Sequence, residues 1–385
     1  MEHIQKTIGV AVAGGGARLR GLLMKLLAHA GEIRLVGLYD PQPESVEAMR
    51  KSFGDFVGYT TYADLLADPE VDWVAIGSWN SQHAEQILSA RVAGKHIFCE
   101  KPLATNLEDC QRIEQALEGC DKHFSFGLVL RYSPFYRKVK TLLEQGTVGN
   151  ILSMEFNETL DFNHGGYIMG NWRRLREHAG PHILEKCCHD FDIANWFTQS
   201  LPETVASFGD TRFFKHENAG LADEIGPNAD GNAAFATWSD SRRVNPFSGS
   251  GDVLDCQVAI LQYANGVQAS FHTNTVASIP ERRFYIVGDR GTLRADVLAG
   301  TIEYAPMRHH ATRTTLRPAV YGGHGGGDSV LVDDLRSTML HNSPPKAGIK
   351  EAIASTIPCL AIDQAQRTRQ VVNIGPWWEK FRLNP

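Results

Sequence analysis

"TIGVAVAGGGARLR", residues 7–20, is an apolar run rich in β-branched residues that empties into three consecutive glycines. The pattern predicts a strand over 7–13, a turn through Gly14, Gly15, Gly16, Ala17, Arg18 and Leu19, and helical character in "LLMKLLAHA" at 22–30. Glycines at such a turn let backbone N–H groups approach a pyrophosphate at a helix N-terminus. The same residues also suit a plain turn between a strand and a helix. Leu19 stands where the GxGxxG pattern has its third glycine, so the loop by itself is a weak signal.

The next segments repeat the theme. "IRLVGLYD" (33–40), "DWVAIGS" (72–78), "HIFCE" (96–100) and "HFSFGLVL" (123–130) read as strands, with helices through "ESVEAMRKSF", "HAEQILSARVAG" and "LEDCQRIEQALEG". Continuous apolar strands separated by amphipathic helices mark a parallel sheet covered on both faces. The first third is therefore expected to be a doubly wound α/β domain, residues 1–130.

Beyond 131 the texture changes. "PFYRKVKTLLEQG" reads as a linking helix and "ILSMEFNET" opens a set of longer strands. "DCQVAILQYANGVQASFHTN" reads as a hairpin, with Asn265 and Gly266 expected at the two φ > 0 positions of a type I′ turn. "RRFYIVGDRGTLRAD" repeats the pattern around Asp289, Arg290 and Gly291. Residues 131–385 are expected to form a second, predominantly antiparallel domain, with helices around 181–199, 328–341 and 350–370. Long loops are expected at 215–232 and 306–327.

Composition narrows the function. A chain of 385 residues argues for two domains. A formal charge of −6 lacks the basic footprint that nucleic acid requires. No apolar run reaches the length needed to span a bilayer, and the N-terminal stretch reads as a strand and not as a signal peptide. Seven cysteines without regular spacing suit reduced thiols, so a cytoplasmic enzyme is expected.

Asp40 closes the second strand, where an acid can accept from both hydroxyls of an adenosine ribose and repel a 2′-phosphate. That favours NAD over NADP; the competing reading is a turn former before Pro41. In an open parallel sheet, ligands bind outside the carboxyl ends of the strands. Ser78, Trp79, Asn80, His83, Glu100 and Lys101 should therefore gather at one crevice as cofactor contacts, and Pro102 restricts the backbone conformation of Lys101.

The second constellation is "AGPHILEKCCHDFDIANWF", residues 179–197. On a continuous helix Glu185 and His189 share a face. Oxidation of an alcohol needs a group that removes the hydroxyl proton near neutral pH, which suits a histidine oriented by a carboxylate. Lys101 can hydrogen-bond the same oxygen, so the two would face each other across a cleft. The competing readings are a surface acid–histidine pair and a metal site on His182, Glu185, Cys188 and His189. No second cluster supports a metal and none is expected; Cys187 and Cys188 read as packing residues.

The order of these motifs resembles the glucose–fructose oxidoreductase / inositol dehydrogenase (Gfo/Idh/MocA) family. The resemblance runs from the glycine loop through "YDP" (39–41), "SWNSQH" (78–83), "CEKPLA" (99–104), "LRYSP" (130–134) and "GTVGNI" (146–151). It continues through "NWR" (171–173), "EKCCHDFD" (185–192) and "GHGGGD" (323–328). It implies a Rossmann dinucleotide-binding domain, then an α+β domain on an open, mostly antiparallel mixed sheet that pairs subunits into a homodimer or homotetramer. It implies catalysis by Lys101, Glu185 and His189, and substrate contacts from Arg131, Trp172, Arg173 and His324. Three positions depart from the pattern: Leu19 for glycine, Glu185 for aspartate, and Trp79 for proline beside the nicotinamide pocket.

The substrates implied are sugars, polyols and cyclitols. Arg173, Arg174 and Arg176 add the thought of an acidic sugar, since guanidinium grips carboxylate and phosphate bidentately; a solvated arginine run is the plainer reading. Two other functions use the same residues or fewer. One is an NAD-dependent glycosidase that oxidises a ring hydroxyl, eliminates the aglycone and returns the hydride. The other is a non-catalytic NAD(H) sensor, which would not need Lys101 and His189 together.

Overall fold

The computed structural model describes residues 7–28, 31–236, 243–319 and 322–383. The chain divides into two compact units. The first comprises residues up to Ser133 together with Gly322–Ile353, and the second Pro134–Tyr321 with Ala354–Pro385. The expected boundary at 130/131 lies close to the first crossing point. It carried no hint that the segment after Gly322 rejoins the N-terminal unit.

In the first unit, six strands form one sheet: β1 (Ile8–Ala13), β2 (Ile33–Tyr39), β3 (Val57–Gly58), β4 (Trp73–Ile76), β5 (His96–Cys99) and β6 (Phe124–Phe126). Their order is β3-β2-β1-β4-β5-β6, all pairs parallel. The central strands are buried along nearly their whole length, as the continuous apolar runs require. Five helices connect them: α1 (Ala17–Leu26), α2 (Pro43–Phe53), α3 (Tyr62–Ala67), α4 (His83–Val92) and α5 (Leu107–Leu117). The strand order reverses at β1, so the loops after β1 and β4 splay apart and leave room for a ligand at the carboxyl ends. This is the expected doubly wound domain. Helix Gly327–His341, the returning segment, packs against α1.

The second unit is built on nine strands: β7 (Ile151–Asp161), β8 (Pro202–Asp210), β9 (Cys256–Tyr263), β10 (Gln268–Ala277), β11 (Arg283–Gly288), β12 (Gly291–Asp296), β13 (Thr301–Pro306), β14 (Thr314–Leu316) and β15 (Val372–Asn373). They lie in the order β14-β13-β12-β11-β7-β10-β9-β8-β15. Only the β7–β10 pair is parallel, so the sheet is mixed and mostly antiparallel. Alternating burial along β9 and β10 puts one face on a core of packed rings around Phe156, Phe191, Phe271 and Phe284, in which Phe156 stacks on Phe284. The other face leaves Leu152, Phe208, Val258, Ile260 and Tyr285 exposed.

Three local expectations need correction. The β9–β10 hairpin does not turn through type I′: Gly266 has φ +89°, but Asn265 is not in the left-handed region. The Gly266 N–H donates to Tyr263 O, and the Tyr263 N–H donates to Val267 O, both at 2.9 Å. That is a right-handed turn closed by a left-handed glycine at a bulge. Asn265 is held instead by its side chain, which donates to Thr198 O at 3.0 Å. The helix expected over 181–199 is two helices, His182–Glu185 and Cys188–Thr198, broken at Lys186 and Cys187. The loop expected over 215–232 contains a short helix, Leu221–Ile225.

Candidate active site

The first unit presents a cradle at the start of α1. Gly14 has φ +90°, and a Cβ there would stand 2.5 Å from Ser78 N, so only glycine fits. A Cβ on Gly16 would meet nothing within 4 Å, so the backbone at the helix entrance is open. No side chain caps α1 at Gly16 and no acid lies in its first turn. Its N–H groups and the positive end of its dipole therefore remain available to an anion. Asp40 stands at the end of β2 beside this loop. Its Oδ2 accepts from Gly15 N at 2.7 Å and its Oδ1 from Gln42 N at 2.8 Å. Asp40 thus binds backbone N–H groups on both sides of the strand end, as the turn-forming reading expects. Open backbone, uncapped helix and flanking carboxylate fit a dinucleotide.

Leu19 is not a defect in this cradle. It is buried, and a Cβ on Gly77 would lie 2.5 Å from its Cδ1 and Cγ. The close helix–strand approach that a glycine on the helix would normally allow comes instead from a glycine at the strand end.

Arg18 and Glu100, both expected as cofactor contacts, pair with each other. The Arg18 Nε donates to Glu100 Oε1 at 2.8 Å, and its Nη1 donates to Asp328 Oδ1 at 2.5 Å. His324 Nδ1 lies 3.1 Å from the other Asp328 oxygen. Burial alone would lower the Arg18 pKa, but Glu100 and Asp328 outweigh it and the guanidinium is held charged. Glu100 ends an apolar strand because an arginine waits for it. His324 belongs to the first unit and is anchored by this chain. His83 is buried with Nδ1 2.7 Å from Pro102 O and Nε2 3.3 Å from Ser78 O, and burial lowers its pKa. A neutral ring has one N–H to give, and the shorter contact, from Nδ1 to Pro102 O, ties the start of α4 to the loop after β5. Ser78 donates to Gln86 Oε1 at 2.7 Å. Trp79 and Asn80 lie in that same loop, and half-buried Lys101 directly follows β5 and Glu100, with the Lys101–Pro102 peptide cis. Arg131 sits on the one-turn helix Val129–Tyr132.

The second unit gathers a separate polar cluster. Trp172 and Arg173 lie on a one-turn helix capped by Asn171, whose side chain accepts from Arg173 N at 2.9 Å. The Arg173 Nε donates to Glu185 Oε1 at 3.0 Å and its Nη1 to Tyr167 Oη at 2.9 Å. Its guanidinium lies 4.4 Å from the Trp172 ring centroid. Arg173 therefore holds the Glu185 carboxylate, a role the sequence did not suggest. The break at Cys187 (φ −96°, ψ 0°) separates Glu185 from His189, so the expected i, i+4 geometry of one helix does not apply. His189, in the first turn of the next helix, is buried. Arg174 donates to Asn171 O and Ser250 Oγ, and Arg176 grips Asp363 with two bonds of 2.9 and 2.7 Å. All three arginines thus have partners within the protein.

Sequence reasoning missed the charged layer beneath. Arg282 donates to both oxygens of Asp190, at 2.8 and 2.7 Å, and lies 3.0 Å from Glu158 Oε1, which also faces Lys186 Nζ at 3.6 Å. Burial would raise Glu158, but Arg282 and Lys186 outweigh it and hold the carboxyl below the usual carboxylate range. Glu158, Cys187 and Asp190 put candidate ligand atoms within 4.8 Å of one another, the one such group among the described residues. The arginine already occupies the place of a cation there. The metal site considered on His182, Glu185, Cys188 and His189 is not such a group. His164, half-buried, is pushed down to about 3 by its partial burial and by Lys186.

A doubly wound unit with a bare phosphate cradle, joined to a mixed-sheet unit with a buried acid, base and arginine cluster, defines a dinucleotide-dependent oxidoreductase. The chain belongs to the Gfo/Idh/MocA oxidoreductase family: residues 8–128 match its NAD-binding Rossmann fold and residues 140–374 its C-terminal alpha/beta domain. The inositol 2-dehydrogenase of Gluconacetobacter diazotrophicus is 36% identical over 195 residues, 49% of this chain and 54% of that protein. The 2,7-anhydro-N-acetylneuraminate hydratase of Escherichia coli is 23% identical over 279 residues, 72% of this chain and 65% of that protein. Among solved structures, levoglucosan dehydrogenase in complex with NADH and levoglucosan superposes with a TM-score of 0.79 at 18% identity, covering 96% of this chain and all (100%) of that one. At that identity the likeness establishes the fold. Among the described residues no helix is long and apolar enough to cross a membrane.

Proposed function

We propose that the protein oxidises a secondary hydroxyl of a sugar or polyol, with NAD as the hydride acceptor. The observation that carries the reading is the uncapped start of α1 at Gly16, flanked by Asp40 and in the same unit as Lys101 at the end of β5. The relatives named as inositol and levoglucosan dehydrogenases supply the substrate class.

NAD, when bound, supplies the hydride acceptor. The residues of the chain do the rest. Gly16 and Ala17, at the start of α1, receive the pyrophosphate through backbone N–H groups, while Gly14 and Gly15 donate theirs to Tyr39 O and Asp40 and so shape the turn. Asp40 accepts from the ribose hydroxyls and repels a 2′-phosphate. Lys101 hydrogen-bonds the reacting hydroxyl oxygen and favours alkoxide character. His189 takes the hydroxyl proton as the carbon gives up its hydride and the C=O bond forms. Glu185 steadies His189, and Arg173 steadies Glu185 through the 3.0 Å bond. Trp172, Arg131 and His324 stand as further candidate substrate contacts.

The exposed apolar face carrying Phe208, Val258 and Ile260 supports a second copy of the chain as partner, giving a homodimer or homotetramer. Sedimentation would show a mass above that of one chain.

A glycosidase that uses NAD transiently is the second reading, favoured by the relative named as a hydratase of an anhydro sugar. Coenzyme absorbance with a panel of neutral polyols, sugars and coloured glycosides separates the two. Net NADH formation supports the dehydrogenase; leaving-group release without net NADH supports the alternative. Neither signal with any compound would remove both.

A further inference from the structure

The returning segment enters its helix through Gly322-Gly323-His324-Gly325-Gly326-Gly327, a glycine run with one side chain in it. His324 has φ 53° and ψ 39°, and Gly322, Gly325 and Gly326 also have positive φ, of 80°, 62° and 80°. A left-handed backbone strains a residue with a Cβ and suits glycine, so a side chain kept there points to a use for it. Beyond the ring the loop is pinned. Ser133 Oγ donates to Gly325 O at 2.8 Å, and a Cβ on Gly327 would stand 2.4 Å from Val129 O.

One nitrogen holds the ring in place. His324 Nδ1 lies 3.1 Å from Oδ2 of Asp328, which stands in the first turn of the helix Gly327–His341. Burial would raise the Asp328 pKa, but His324 and Arg18 outweigh it and keep the carboxyl below the usual carboxylate range. A carboxylate only accepts, so in the neutral imidazole the proton sits on Nδ1 and the lone pair on Nε2. Nε2 has no hydrogen-bond partner among the described residues, and 40% of the side chain is exposed. Arg18 secures the acid in turn: its Nη1 donates to the other Asp328 oxygen at 2.5 Å, while its Nε holds Glu100. Arg18 stands in the first turn of α1, two residues after Gly16.

We propose that Asp328 and Arg18 are positioning residues for substrate binding. Asp328 fixes the His324 ring with its lone pair on Nε2, as an acceptor for a substrate hydroxyl other than the one oxidised. Arg18 fixes Asp328 from the helix that opens the coenzyme cradle. This rests on the polyol reading above and on His324 as a substrate contact. Because that nitrogen only accepts, it recognises a group that donates: a hydroxyl is bound, and a hydrogen or a fluorine in its place is not.

The test uses the polyol that the panel shows to be turned over fastest, at saturating NAD, with its monodeoxy and deoxyfluoro analogues. His324→Gly should fold, since the left-handed backbone suits glycine. Its KM should rise roughly tenfold or more, with kcat changed by less than about threefold. One hydroxyl position should stand out: the wild type handles its deoxy and deoxyfluoro analogues equally poorly, and His324→Gly loses nothing further on either. Asp328→Asn should raise KM roughly threefold or more by itself and cause no further rise in His324→Gly, because it acts through the ring. Arg18→Lys should give a smaller rise that is likewise absent in His324→Gly. An Asp328 or Arg18 variant that leaves KM unchanged, or raises it equally in both backgrounds, overturns the positioning role, since a merely structural residue acts without the ring. A KM unchanged in His324→Gly, with a wild type that turns over the polyol, overturns the contact and leaves the dehydrogenase standing; a wild type inactive on every polyol removes both.

Discussion

The Oδ2 of Asp40 accepts the N–H of Gly15 at 2.7 Å, so the acid expected to read the ribose also shapes the glycine loop proposed to meet the pyrophosphate. The two roles separate by substitution. Asp40→Ala should weaken NAD binding by roughly tenfold or more and narrow the preference over NADP. Asp40→Asn, which keeps an acceptor but loses the charge, should spare more of the NAD affinity while admitting NADP. Titrating each coenzyme against intrinsic fluorescence checks both; an unchanged preference would remove Asp40 from the ribose site.

Leu19 and Gly77 fill one another's space, and this makes a coupled pair. Restoring the family's glycine with Leu19→Gly should destabilise the protein by about 3–5 kcal/mol, through a cavity and a flexible residue in a helix. Gly77→Ala alone should also destabilise, because its methyl meets Leu19. In Leu19→Ala with Gly77→Ala the losses should not add, with a coupling of about 1 kcal/mol or more in urea unfolding.

Arg173 supports Glu185 from a position that is itself three-quarters buried, at 24% side-chain exposure against 7% for the acid. Arg173→Ala leaves a buried carboxylate short of a cation and should cost about 2–4 kcal/mol. Glu185→Gln should cost less stability yet lower kcat by roughly tenfold or more, if its charge steadies His189 as proposed. Equal effects on stability and rate in both variants would reduce the pair to a structural bridge.

Much of the first unit was legible because its strands are buried on both faces and read as unbroken apolar runs. The glycine loop, Asp40 and the Glu100-Lys101-Pro102 strand end were legible for the same reason: they punctuate those runs. What failed was whatever depends on partners distant in sequence. Arg18 reaches Asp328, and Arg282 reaches both Glu158 and Asp190; no local spacing announces either contact. The helix break at Lys186 and Cys187 was hidden because neither residue is a glycine or proline. The hairpin was found, but an Asn-Gly pair also fits a bulged turn, and the side-chain bond from Asn265 to Thr198 belongs to tertiary structure.

Acid should weaken the fold through two imidazoles, one buried and one half-buried. His182 and His164 are held by burial at about 4 and about 3. In the unfolded chain a histidine titrates near 6.5, so below that pH the unfolded state takes up protons that the folded state refuses. The stability present above about pH 6.5 is therefore lost as pH falls toward about 4, at on the order of 1 kcal/mol per pH unit for each ring. Urea midpoints at about pH 7.5 and about pH 5 measure the slope. His182→Phe should make it shallower; a slope unchanged by that variant would contradict the assignment.

The central claim is that Lys101 acts on the reacting hydroxyl and not on the coenzyme. Lys101→Ala, assayed by the absorbance of reduced coenzyme with the best polyol and by NAD titration on the same preparation, tests it most directly. The account predicts NAD affinity within about threefold of the wild type and a kcat lowered by roughly a thousandfold. A variant that turns over at the wild-type rate, or one whose loss of rate follows entirely from lost NAD binding, would contradict it.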